Sequence, residues 1–205
     1  VIIPSISLIV FLIVASYHFG KEDTQFLIIK SSYLNQLLFF LKGSLIILAP
    51  MYFHFDETIS IFKLLLINNE SFYIFLDSIE TNKILLYSVI LSTLSSIILF
   101  TKNFEPKKFT IFFDYFSILI INYYFSPLVA FTIYFCFLHS VRHSISLMSE
   151  LDKKDLKNGL KIFTKKALPL TILTIIFCFL SLYLLNNTYN FDSSILKIIF
   201  IGLAS

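Results

Sequence analysis

Residues 127–148, PLVAFTIYFCFLHSVRHSISLM, form an unbroken apolar run that takes on two histidines and an arginine in its second half. About 20 residues at ~1.5 Å rise match the ~30 Å hydrocarbon core of a bilayer, so the run predicts a membrane-spanning helix. His139 and His143 stand four residues apart. In an α-helix that spacing puts both imidazoles on one face, with Cβ atoms about 5–6 Å apart. Two imidazoles so arranged can take adjacent positions on one metal ion, as in the helical zinc motifs. Arg142 points to a different side. Ionisable groups inside a span usually face a bundle interior or a cavity. The alternative here is that all three snorkel at the helix end and merely hold its register.

The rest of the chain is of the same kind. It has 205 residues, 57% of them hydrophobic, and a mean hydropathy of +0.84, which excludes an ordinary soluble domain. Charges fall in clusters between long apolar runs, the pattern of spanning helices rather than of a barrel. The predicted fold is therefore an all-α, polytopic transmembrane helical bundle. Residues 1–205 would form one integral membrane domain, incomplete at both ends, with about seven spans of which the first and last are cut. The net charge of +3 is modest and no basic stripe with interleaved aromatics occurs, so no nucleic-acid partner is expected. Cys136 and Cys178 each fall inside a span, with no CxxC pattern, and read as packing residues.

In order, the first span covers about 1–19 and ends SYHFGKEDTQ, with His18 at its mouth beside Glu22 and Asp23. It has no basic stretch before it and is not a signal peptide. A second span, 36–53, carries Lys42 and Gly43. Residues 56–68 have apolar positions at helical spacing and predict an interfacial helix. Spans follow at 84–101, 109–125 (with Asp114) and 127–148. The charged stretch 149–166 predicts a short surface helix, then come a span at 167–185 and a cut one from about 195.

Loop charge orients the bundle. Lys21, Lys30, Lys102, Lys107, Lys108, Lys153, Lys154, Lys157, Lys161, Lys165 and Lys166 belong to one side, against Lys63 and Lys83 on the other. The positive-inside rule makes the first side cytoplasmic. His18, His139, His143 and Asp114 then share one level in the cytoplasmic half, whereas His54 lies at the opposite surface, roughly a bilayer thickness (~30 Å) away. Three neutral imidazoles with no thiolate nearby suit iron, copper or zinc. Asp23 and Asp114, with Glu22 a further choice, are the carboxylates available to hold a ligand's second ring nitrogen.

YFCFLHSVRH, preceded by SPLVAF, resembles the most distinctive stretch of the Brp/Blh-type bacterial β-carotene 15,15′-dioxygenases. SYHFGKED resembles their earlier histidine motif, GSLIILAPMYFHFDETISIF the stretch after it, and the terminal IGLAS the start of their last recognisable segment. The resemblance implies a multi-pass enzyme of the cell inner membrane, its site toward the cytoplasm. It would use Fe(2+) and O2 to split β-carotene at its central double bond into two retinals. It also implies that His18, His139 and His143 are iron ligands, and that retinal passes to a retinal-binding rhodopsin. The family has a further histidine helix before the region where this chain begins and a Pro-His pair beyond the region where it stops, so the fourth ligand is expected outside these residues. Of the aromatic residues, 25 Phe and 11 Tyr, Tyr134 and Phe135 are the choices for lining a polyene tunnel. The competing readings are a haem-binding or carotenoid-binding membrane protein without cleavage activity, whose histidines would be axial ligands or helix–helix contacts.

Overall fold

The computed structural model describes residues 2–24, 32–65 and 69–204, which are helical with short connections and contain no strand. Val1, Lys30, the 66–68 end of the expected interfacial helix and Ser205 lie outside the described residues. The helices are α1 (Ile2–Glu22), α2 (Tyr33–Phe53), α3 (Phe55–Leu64), α4 (Glu70–Thr81), α5 (Ile84–Thr101) and α6 (Phe109–Tyr124). A continuous stretch follows as α7 (Pro127–Ile133), a π-helical turn (Tyr134–His139) and α8 (Ser140–Leu151), and then α9 (Leu156–Leu185) and α10 (Phe191–Ala204). The all-α polytopic bundle is as the hydropathy demands.

Five stretches among the described residues are long and apolar enough to cross a membrane: Pro4–Glu22, Tyr33–Phe53, Ile84–Thr101, Pro127–Leu151 and Leu156–Leu185. The other two expected spans are α6, with 16 residues, and α10, with 14. At ~1.5 Å per residue α6 is shorter than a ~30 Å core, and α10 is described only as far as Ala204. Two further differences have local causes. The Asn69 side chain accepts the Phe72 N–H at 3.3 Å and so starts a separate helix, α4, after α3. The charged stretch before residue 167 does not fold separately but runs into the apolar one as the single 30-residue helix α9, with Pro169 inside it. Its helix start is set by Asp155, whose side chain accepts the Lys157 N–H at 2.9 Å.

The chain divides into two compact units, residues 1–60 with 67–140, and residues 61–66 with 141–205. In the first, the Lys102 ammonium donates to Asn35 Oδ1 at 3.0 Å, bringing the end of α5 to the start of α2. Lys108, just before α6, donates to the Lys102 carbonyl. At the far end a His54 ring nitrogen lies 2.8 Å from the Asn122 carbonyl, joining the last turns of α2 and α6. Hence α2 and α6 run one way, and α1, α5 and α7 run back toward the end where the 102–108 lysines lie. Buried serines Ser92, Ser95 and Ser96 line α5, and Ser95 donates to the Leu38 carbonyl of α2 at 2.7 Å. Small residues of this kind let helices approach closely where no water drives them together.

In the second unit a Cβ at Gly159 of α9 would meet the Met148 carbonyl oxygen at 2.2 Å, so α9 packs on α8 through that glycine. Ser193 of α10 donates to the Leu64 carbonyl at 2.8 Å. The apolar part of α9 exposes side chains all round, among them Leu170, Phe177, Phe179 and Tyr183, as a lipid-facing helix does.

Candidate metal centre

The site begins with a helix crossing. Gly20 of α1 and Gly43 of α2 pack backbone to backbone: a Cβ on Gly20 would sit 1.8 Å from the Phe39 carbonyl oxygen, and one on Gly43 1.9 Å from that of Ser16. No side chain fits either place. The crossing turns Phe19 inward, into a core with Leu45, Ile46, Ala49, Ile118 and Tyr134, and leaves the His18 imidazole exposed at its edge.

His139 comes to the same place from the π-helical turn. It is buried, 7% exposed, and aromatic rings enclose it. Phe19 meets it edge-on at 4.9 Å between centroids, and Phe135 stacks at 5.8 Å and 27°. Tyr134 stacks at 6.1 Å and 29°. The His18 ring lies 6.1 Å away, tilted by 64°. Asp23, just past the end of α1 and 2% exposed, uses both carboxylate oxygens here. Oδ1 is 3.1 Å from His139 Nδ1, and Oδ2 accepts the Tyr134 hydroxyl at 2.7 Å. A carboxylate can only accept, so Nδ1 carries the proton and Nε2 is the nitrogen through which the ring would bind a metal.

The wide turn makes this possible. Residues five apart in an α-helix point about 140° away from each other. Here the Ser140 N–H donates to the Phe135 carbonyl, five residues back, and Tyr134 and His139 come into stacking contact and reach one carboxylate. Such π turns often mark functional sites. The sequence carries no signature for it, so the plain helical spacing assumed for this run does not hold through residues 134–139.

The other expected residues stand as follows. Asp114 is 4% exposed and its Oδ2 lies 3.9 Å from the ammonium of Lys42, itself 4% exposed. This pair ties α6 to α2 at the level of the crossing. Phe135 is half-buried and stacks on Phe131 at 5.8 Å as well as on His139. Glu22 is half-buried in the last turn of α1. His143 is exposed on α8 and belongs to the second unit. His54, besides its bond to Asn122, has Nδ1 3.7 Å from Glu57. It lies some 13 residues along α2 from the level of His18, about 20 Å at 1.5 Å per residue. That is less than the ~30 Å expected and still far beyond the reach of one ion. Cys136 is exposed and Cys178 half-buried, so neither is the buried packing thiol its position in a span suggested.

Among the described residues no three His, Cys, Asp or Glu side chains form a complete ligand group. What is present fits a metal in its chemistry. Two imidazoles bound to one ion through bonds of about 2.1 Å keep their ring centroids within roughly 6.5 Å, and His18 and His139 satisfy this. A histidine whose other nitrogen is held by a carboxylate is the usual form of a metal-ligating one. No curated protein and no solved structure matches the chain. The model of the family described as "Beta-carotene 15,15'-dioxygenase" matches residues 1–205, and the chain therefore belongs to that family.

Proposed function

We propose that this protein cleaves β-carotene at its central 15,15′ double bond with O2, giving two molecules of retinal. The observation that carries this reading is the Asp23–His139 pair beside His18, in a membrane bundle of the dioxygenase family. The proposed cofactor is Fe(2+), held by His18 and His139 with His143, four residues further along the sequence, as the third ligand. The balance is simple: one carbon–carbon double bond and one O2 become two aldehydes.

When bound, iron supplies the activation of O2. The chain's own residues do the rest. Asp23 keeps His139 in one tautomer and one orientation. Phe135, half-buried and stacked on the imidazole, offers flat apolar surface on which a polyene can lie. Central cleavage requires one double bond among many similar ones to be held beside the metal, which is a matter of positioning. The aromatic enclosure also keeps water from reactive oxygen species. Asp114, with Lys42, supports the site through the α2–α6 contact. The proposed location is the cell inner membrane, surrounded by lipid, with the histidines toward the cytoplasm; the 102–108 lysines at the same end of the unit favour that orientation. Retinal released there would suit a retinal-binding rhodopsin.

The test is expression in cells that make β-carotene. Loss of carotene colour with appearance of retinal is the expected result, abolished by His139→Gln. Retinal formation undiminished by His139→Gln would remove the metal from the reading and leave a carotenoid carrier.

A further inference from the structure

We propose that Tyr134 is a positioning residue of the metal site, acting through Asp23, rather than a wall of the substrate tunnel. This rests on the reading of His139 as a metal ligand.

Tyr134 is 3% exposed, and its ring packs edge-on against Phe19 at 5.8 Å within the bundle core. It presents no open face to a polyene. Its hydroxyl donates to Asp23 Oδ2 at 2.7 Å while Asp23 Oδ1 meets His139 Nδ1 at 3.1 Å. A carboxylate that is 2% exposed is strongly penalised unless donors satisfy it. Tyr134 is one such donor, and it grips the oxygen that His139 does not use. The carboxylate plane is thereby fixed at two points, both supplied by one π turn. Without the hydroxyl, Asp23 Oδ2 loses this donor, and the carboxylate that accepts from His139 Nδ1 is held less firmly in its place.

The experiment uses the full chain in lipid nanodiscs, titrated with Fe(II), and with Co(II) as a spectroscopic probe of ligand geometry. Tyr134→Phe keeps the ring and its packing. The loss expected from removing such an outer partner is about 10–100-fold in Fe(II) affinity, with altered Co(II) absorption. KM for β-carotene should stay unchanged and kcat should recover with added iron. In an Asp23→Asn background, Tyr134→Phe should add less than about twofold, since it acts through Asp23. Tyr115→Phe is the control: its hydroxyl bonds Thr93 at 2.6 Å in the same unit, and its loss should leave metal affinity alone.

Wild-type Fe(II) affinity and Co(II) spectrum in Tyr134→Phe would overturn the proposal, as would a raised KM or displaced cleavage position at full iron occupancy. Should Tyr134→Phe not fold, Asp23→Asn probes the same chain at its middle, and unaltered Co(II) binding there overturns it equally. A wild-type protein that binds no Fe(II) would instead remove the metal reading above, and this proposal with it.

Discussion

Gly20 and Gly43 face each other across the α1–α2 crossing so closely that a Cβ on Gly43 would come within 2.6 Å of the Gly20 nitrogen. The approach is backbone against backbone, so neither helix can yield by rotating a side chain. It sets the rotation of α1 and hence the direction of His18 and Phe19, whose rings meet that of His139.

Gly43→Val should therefore destabilise the bundle and disturb the site together. Overpacking typically costs about 1–3 kcal/mol, and contact with backbone puts this change at the upper end or beyond. Thermal unfolding in detergent, with metal content measured alongside, tests it. Gly202→Ala is the comparison, since a Cβ there meets nothing within 4 Å and both readings should stay at wild-type values.

The Lys42–Asp114 pair should behave as a unit. Each group is 4% exposed, and removing one partner of a buried pair typically costs about 3–5 kcal/mol because the other charge is left uncompensated. Lys42→Met and Asp114→Leu should each lower the unfolding midpoint strongly, and the double variant much less than their sum. Additive losses would show that the two charges are not coupled.

His54→Gln should leave Fe(II) content and retinal formation unchanged. The contact of 2.8 Å to the Asn122 carbonyl is worth about 1 kcal/mol, so a small drop in thermal stability is the only expected change. Loss of iron on this substitution would mean that the two ends of α2 have been read the wrong way round.

Phe135→Ala should act on the substrate rather than the metal. Its ring lies between Phe131 and His139, stacked on both at 5.8 Å. Removing it should lower kcat/KM and spread cleavage to neighbouring double bonds, read as longer and shorter apocarotenals by chromatography, at unchanged iron content.

Much of this was legible in the order of residues alone. Long apolar runs between charged clusters allow no other fold in lipid, where every backbone polar group must be satisfied within its own helix. His18 and His139 stand out in the sequence because histidine in a membrane span is rare and costly, and Asp23 because few carboxylates lie near their level; the fold brings these three side chains together. Other features depended on contacts distant in sequence. The π turn rests on shifted backbone hydrogen bonds, such as that from the Ser140 N–H to the Phe135 carbonyl, which no residue type encodes. The bond from the Tyr134 hydroxyl to Asp23 was not legible, because a sequence shows an aromatic ring but not which way its hydroxyl points. Its partner Asp23 is 111 residues away, and only the glycine crossing, by bringing α1 against α2 and its end toward the returning helix, decides that they meet. Lys42 was visible as a charge inside a span, yet its pairing with Asp114 is a product of helix packing. Composition and hydropathy act residue by residue along the chain and so determined the helices. The site depends on distances between helices, and those were decided by which surfaces were small enough to touch.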